Sequence, residues 1–281
     1  MLRSPVKIEP DSKSLRFLYK NPAGRVFLKL LSAPRLSKLC GSFLSSSLSR
    51  PLIGSFVRKN GIDLSLYEDR KYHDFNDFFT RKINPGLRPV DMSPEAFVAP
   101  CDGLLTAFRI DKDTVLPVKQ SMYTITDLLA SEEEAKIFRD GICLVFRLCV
   151  DHYHRYFFFD DCEAEKPVFI KGRLHTVRPI ALETEKVFTT NSREKTLLHT
   201  KHFGRVMQIE VGAMLVGKIR NHDVTSAKRG DEKGMFLYGG STVILLFEKD
   251  KLNLDEDIFR NSSEYSETPV RFGEKLGEIC R

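Results

Sequence analysis

Tyr238-Gly239-Gly240-Ser241-Thr242 runs directly into Val243-Ile244-Leu245-Leu246-Phe247. The second half is β-branched, aliphatic and aromatic, and reads as a buried strand. The two glycines ahead of it allow backbone angles and close approaches that a side chain forbids. A serine hydroxyl therefore stands at a constrained strand entrance. Working outward, Ile142–Leu148 reads as a second strand, and alternation of Val206, Gln208 and Glu210 with Met207, Ile209 and Val211 predicts a half-buried one. Further short runs separated by Gly, Asn and Asp point to antiparallel β-structure. The predicted fold class is α+β, a β-rich core of antiparallel sheets preceded by amphipathic helices.

Those helices are visible as periodicity. Val26, Phe27, Leu30 and Leu31 recur at helical spacing, Pro34 interrupts, and Leu36, Leu39, Cys40, Phe43 and Leu44 resume it. A third piece after Pro51 carries Leu52, Ile53, Phe56 and Val57. Phe75, Phe78 and Phe79 form the apolar face of a short helix closed by the turn at Pro85-Gly86, and residues from Ile125 to Leu129 also read as helical. Residues 1–11 read as an irregular end, and Asn261-Ser262-Ser263-Glu264 as a loop.

The composition, 42% hydrophobic and 29% charged over 281 residues, suits one large domain or two small ones with a real core. Six cysteines at 40, 101, 143, 149, 162 and 280 form no CxxC pair and follow no secretory signal, which predicts a reducing interior and no disulfide framework. His152 and His154 lie near Cys149 and Cys162, but a lone His-x-His without paired cysteines predicts no metal site. The net charge is +6, yet residues 12–62 alone hold ten Lys and Arg and no acid, so the remainder is mildly acidic. A basic segment of one sign with apolar faces is drawn to anionic surfaces, at ~1 kcal/mol per Lys or Arg near a charged membrane. No run approaches the ~20 apolar residues that span a bilayer, so residues 12–62 are expected to lie on a membrane. A mitochondrial transit peptide is acid-poor from its start, whereas Glu9 and Asp11 come first here.

Several stretches together carry a family resemblance. Phe75-Asn76-Asp77-Phe78-Phe79-Thr80-Arg81-Lys82-Ile83-Asn84-Pro85-Gly86-Leu87-Arg88-Pro89 is similar to an FxxFFxRxLxPxxRP pattern, and Pro100-Cys101-Asp102-Gly103 to Pro-x-Asp-Gly. Tyr153-His154-Arg155 matches the end of Asp-Tyr-His-Arg, with His152 where the aspartate is usual and Phe157 where many members have a further histidine. Lys119-Gln120-Ser121-Met122-Tyr123 resembles Lys-Gly-x-x-Tyr with Gln120 for glycine. Gly212-Ala213-Met214-Leu215-Val216-Gly217-Lys218 and Lys228 to Phe236 lead into the Gly-Gly-Ser-Thr turn. The set resembles the phosphatidylserine decarboxylase proenzymes, pyruvoyl-dependent lyases of phospholipid biosynthesis.

The resemblance implies autocatalytic cleavage of a zymogen between Gly240 and Ser241, giving chains 1–240 and 241–281 that stay together as a heterodimer, open to further oligomerisation. Ser241 becomes a covalent pyruvoyl group, the only cofactor implied, which forms a Schiff base with the substrate amine. Asp102 is implied as the acidic member of the relay and His154 as its base, with His152 as runner-up; no metal takes part. Phosphatidylserine is the implied substrate and phosphatidylethanolamine with carbon dioxide the products. The implied organisation is a membrane-association segment, residues 1–62, and a decarboxylase domain, residues 63–281, peripheral on the cytoplasmic face of the cell membrane. Nucleic acid is not an implied partner. Two other classes remain: a pyruvoyl decarboxylase of a soluble amino acid, and a non-catalytic membrane-bound relative.

Overall fold

The run that follows the Gly-Gly pair forms the strand Ser241–Phe247, buried at every residue. In the structure, a computed structural model describing residues 3–7, 12–32, 34–111, 116–118, 121–176, 180–181, 187–213, 218–238 and 241–280, this strand is central. Residues 9–11, 119–120, 177–179, 182, 214–217 and the pair Gly239 and Gly240 lie outside the described residues. Ser241–Phe247 sits between Ile142–Leu148 and Gly204–Val211, antiparallel to both. Among the described residues ten strands make up this antiparallel sheet. It continues through Gly103–Arg109, Ser266–Val270 and Val6–Lys7 on one side. On the other side it runs through Arg193–Thr200, Cys162–Ala164 and Ser226–Ala227, and Val168–Ile170 also pairs with Arg193–Thr200.

Both faces of the sheet are covered, which is why the central strand is apolar without alternation. Val243, Leu245 and Phe247 enter a core with Phe97, Leu105, Phe146 and Tyr156, whereas Ile244 and Leu246 enter another with Leu128, Val145, Phe188 and Ile209. Each fully buried side chain of this size stabilises the fold by ~1.5–3 kcal/mol. The half-buried reading of 206–211 is corrected here, because Gln208 and Glu210 are fully buried. Their polarity is matched internally: Glu210 accepts from Lys233 Nζ at 2.9 Å, Gln208 Nε2 at 3.0 Å and Asn221 Nδ2 at 3.1 Å. A buried charge is tolerated when it is paired and hydrogen-bonded in this way.

A smaller sheet, Ile219–Asn221, Glu232–Phe236 and Arg155–Phe157, packs on the first of these cores. Gly234 is required in it, since a Cβ there would lie 2.4 Å from the Arg220 carbonyl oxygen and 2.7 Å from the Tyr156 hydroxyl.

The amino-terminal helices are α1 (Lys13–Lys20), α2 (Pro22–Leu31), α3 (Pro34–Leu44) and α4 (Leu52–Asn60), and the aromatic helix is α5 (Phe75–Phe79). Local chemistry sets their limits. Ser12 Oγ caps Leu15 N–H, Pro22 and Pro34 open α2 and α3 where a missing N–H costs nothing, and Gly61, at φ +61°, closes α4. Asp74 caps α5 by accepting from Asp77 N–H at 2.9 Å.

Tyr19 and Leu28 reach the second core. Leu44, Ile53, Phe56 and Val57 join a third, with Phe75, Phe78, Phe79, Tyr153 and Tyr238. The opposite sides stay in solvent: Val26 is 69% exposed, Phe27 59%, Leu39 70% and Leu48 76%. No described helix is long and apolar enough to cross a membrane.

Two readings change. The irregular first residues include the edge strand Val6–Lys7, paired with Ser266–Val270, and Arg3 is tied to Asp255, Asp257 and Glu274. Residues 261–263 belong to the helix Glu256–Ser263, because Ser262 Oγ donates to the Ile258 carbonyl and Asn261 Nδ2 to Thr268 Oγ1. Side chains that would compete for backbone groups are occupied by partners that a loop would lack.

Candidate active site

One rim of the main sheet gathers the residues singled out in the sequence. Ser241 opens its strand opposite Leu148, the last residue of Ile142–Leu148, and Gly103–Arg109 opens beside them with Leu104 opposite Arg147. Asp102 thus precedes the rim by one residue, Ser241 stands on it, and the segment carrying His152 and His154 leaves from it. All three strands are anchored by buried side chains, so the rim is rigid.

The approach to the Gly-Gly pair is tethered to the histidine segment. Phe236 N–H donates to the His154 carbonyl at 2.9 Å, and Tyr238 N–H to Asn76 Oδ1 at 3.0 Å. Asn76 is itself fixed, its Nδ2 donating to Ser45 Oγ at 2.8 Å. Phe79 joins the two sides: its ring centroid is 4.0 Å from that of His154 and 5.3 Å from that of Tyr238.

His154 is fully buried. Its Nδ1 is 2.9 Å from the His152 carbonyl oxygen, which as acceptor requires the proton on Nδ1 and leaves Nε2 with its lone pair. Nε2 is buried and has no partner among the described residues, and neither has the buried Ser241 Oγ. Burial first, then the nearby Arg81 and His152 charges, hold His154 well below the ordinary histidine value. A neutral, buried imidazole with a free lone pair is chemically a base awaiting a proton. Burial also lowers His152, against the opposing charges of Asp151 and Asp102.

Asp102 is placed differently from the implied relay. Its carboxylate is gripped by Arg88, Nε to Oδ1 at 3.0 Å and Nη2 to Oδ2 at 2.7 Å, and Oδ1 also accepts from Phe272 N–H at 2.8 Å. No hydrogen bond joins it to His154 or His152 among the described residues. Its charge acts on His152, whose carbonyl orients His154. Phe157 stacks on Phe272, centroids 3.7 Å apart, and so serves packing next to the residue whose N–H holds Asp102.

Cys149, Asp151 and His152 bring ligand atoms within 4.8 Å of one another. Arg147 Nη1 donates to Cys149 Sγ at 3.2 Å, and Cys149 N–H to His152 Nδ1 at 3.1 Å. A guanidinium against the sulfur opposes a dication there, and one imidazole lone pair is already used.

Sequence reasoning passed over Asn76, Phe79, Arg81 and Arg88 as functional positions. All four lie in the quoted 75–89 stretch, where two arginines at fixed offsets were the available signal.

The chain is similar to known proteins of one family. The family described as phosphatidylserine decarboxylase matches residues 75–278. Phosphatidylserine decarboxylase proenzyme 2 of Clostridium acetobutylicum is 45% identical over 265 residues, covering 94% of this chain and 91% of that protein. The phosphatidylserine decarboxylase proenzyme of Desulfitobacterium hafniense is 39% identical over 275 residues, covering 94% and 91%. That of Clostridium perfringens is 38% identical over 272 residues, covering 94% and 92%.

Proposed function

The chain belongs to the phosphatidylserine decarboxylase family, and on that premise we propose that it is a proenzyme that cuts itself between Gly240 and Ser241 and then converts phosphatidylserine to phosphatidylethanolamine and carbon dioxide. The observation that carries this reading is the pair of buried atoms at the rim, Ser241 Oγ and His154 Nε2, that have no partner among the described residues. Leaving two such groups unmatched costs roughly 1–3 kcal/mol each, and a reaction between them gives the cost a reason.

In self-cleavage His154 Nε2 takes the Ser241 hydroxyl proton, and the oxygen attacks the Gly240 carbonyl, exchanging the amide for an ester. Loss of the residue-241 α-proton expels the Gly240 carboxylate. Water then replaces the nitrogen, which leaves as ammonia, and residue 241 ends as a pyruvoyl group. The orphaned hydroxyl at the start of a fixed strand fits that precursor. A ketone at this position supplies the electron sink that decarboxylation needs and that no natural side chain offers.

During turnover the chain's own groups exclude water and move a proton. The buried rim favours loss of a charged carboxylate, and His154 Nε2 delivers a proton to the carbon that carbon dioxide has left. Asp102 supports His154 through its field at His152, and Arg88 holds it in place.

Residues 1–62 are proposed as the membrane-association segment. Ten basic residues face no acid in 12–62, and the apolar sides of α2 and α3 are open. The cytoplasmic leaflet, rich in anionic lipid, is the surface this charge suits.

Mass spectrometry of purified protein should find two chains, residues 1–240 and 241–281, the second with a blocked, ketone-bearing start, whereas Ser241→Ala should stay whole. The mature protein should release carbon dioxide from phosphatidylserine. An uncut wild-type chain with an ordinary Ser241 would sink the proposal, and activity on a free amino acid alone would move it to the soluble class.

A further inference from the structure

Arg81 follows α5 and is completely buried. Taking a guanidinium out of water costs several kcal/mol unless its charge and N–H groups are matched. Other buried arginines of this protein satisfy their N–H groups, two of them with a carboxylate. Arg155 holds Glu232 and the Thr80 carbonyl, Arg229 holds Asp160 and the carbonyls of Asp91 and Ser93, and Arg193 donates to the carbonyls of Leu128, Thr189, Asn191 and Asp127.

Arg81 does not. Its Nη2 donates to the Tyr67 hydroxyl at 3.3 Å and to the carbonyls of Asp151 and His152 at 3.1 and 3.4 Å. Among the described residues no carboxylate pairs with it, and Nε and Nη1 have no partner. The group is nonetheless held firmly. Its central carbon lies 4.3 Å from the ring centroid of Tyr67 and 4.9 Å from that of Phe78, a cation–π arrangement that fixes the plane of the fork.

The guanidinium adjoins the histidine segment through its bonded nitrogen. Arg81 Nη2 and His154 Nδ1 converge on one oxygen, the His152 carbonyl, at 3.4 and 2.9 Å. A rigid, unpaired cation next to the proposed base, with two N–H groups free, is a receptor for an oxyanion.

We propose that Arg81 binds the phosphodiester of the phospholipid substrate, Nε–H and Nη1–H each donating to a phosphate oxygen while His154 serves the amino-acid end. This rests on the phosphatidylserine reading above. The substrate also carries a carboxylate, but a guanidinium on that group would stabilise the very charge that must be lost and so raise the barrier. The phosphodiester keeps its charge throughout, so binding it tightens substrate without opposing the chemistry.

The test uses Arg81→Lys and Arg81→Met, the second keeping apolar volume between the two rings. Self-cleavage takes no lipid, so it should still reach completion in both, though at a changed rate because the Arg81 charge acts on His154. With a short-chain, monomeric phosphatidylserine, KM should rise about ten- to a hundredfold in Arg81→Met and less in Arg81→Lys, with kcat changing much less. Inhibition by sn-glycero-3-phosphoethanolamine, which has the phosphodiester and no carboxylate, should weaken in parallel. A processed Arg81→Met enzyme whose KM and inhibition are unchanged would overturn the proposal. So would a raised KM with unchanged inhibition, which would assign Arg81 to the carboxylate. Should neither variant process, crystals of the wild-type mature enzyme soaked with the same compound decide: phosphate on Nε and Nη1 supports the assignment, and phosphate elsewhere overturns it. A mature wild-type enzyme inert towards phosphatidylserine would instead remove the underlying reading, and this inference with it.

Discussion

His154 carries the heaviest demand of any single residue, since one imidazole serves both self-cleavage and turnover in the proposed scheme. Replacing it with alanine should slow self-cleavage by about 10²–10⁴-fold, the range usual for a lost general base. Asp102→Asn should slow it less, because Asp102 acts through its charge on His152 and is bonded to Arg88, not to His154. Gel time courses would measure both; normal processing in His154→Ala beside arrested processing in His152→Ala would exchange the two histidines. Stability should also depend on pH. Both histidines sit below the ordinary value of 6.5. Above that value folded and unfolded forms are both neutral and pH has no effect through them. As pH falls below 6.5 the unfolded chain takes up protons that the folded chain refuses, so folding weakens until the lowered folded values are reached. In the uncut Ser241→Ala background, thermal melts should therefore fall off below pH 6.5, and His154→Gln should flatten that decline; an equal slope in both proteins would contradict the assigned burial effect.

Among the elements, α5 has the widest reach, since Phe79 packs on the proposed base and Asn76 holds the approach to the proposed cleavage point. Asn76→Ala would leave the Tyr238 N–H without its acceptor, a loss of roughly 1–3 kcal/mol where such a group is buried. Self-cleavage should slow while the fold persists, and Asn76→Asp, which keeps an acceptor oxygen, should be milder. Cleavage of Asn76→Ala at the wild-type rate would show that this tether does not govern geometry. The sequence made much of this level readable. Periodicity located α2 to α5, and the apolar run located the central strand, because in each case the signal lies within one short window. Val6–Lys7 was unreadable: two residues show no period, and the partners of Arg3 are more than 250 positions away. Glu256–Ser263 was hidden because Asn and Ser favour loops unless distant groups engage them, as Ala107 N–H does by donating to Ser262 Oγ. At the site, the place of Ser241 at a strand entrance and the histidine segment could be read from local patterns. The grip of Arg88 on Asp102 could not, since nothing in a linear string tells which cation will face which anion.

At the scale of the whole molecule, the helices proposed to meet the membrane reach back to the rim, one side of α4 packing with Phe75 and Phe78 while α2 and α3 leave apolar residues open. Phe27→Ser, Leu39→Ser and Phe43→Ser should each weaken binding to phosphatidylserine vesicles, by about ten- to a hundredfold where the side chain is fully inserted. Raising salt from 0.1 to 1 M shortens the screening length from ~10 to ~3 Å and should weaken binding further without abolishing it. A protein lacking residues 1–62 that self-cleaves yet sediments with such vesicles as well as the full chain would refute the docking role. The position of Ser241 has another consequence. It opens the strand at the middle of the main sheet, and the piece downstream also contributes Ser266–Val270 near one edge. A cut before Ser241 therefore leaves the smaller chain woven through the larger one. While uncut, the two parts meet within one molecule, at an effective concentration that a short linker sets on the order of millimolar. Once cut and unfolded, they must find each other by diffusion. Ser241→Ala protein should regain its fold from denaturant with a yield indifferent to dilution, whereas the mature enzyme should recover less the more it is diluted. Maturation would thus exchange a reversible equilibrium for a one-way state, whose lifetime is set by how slowly it opens.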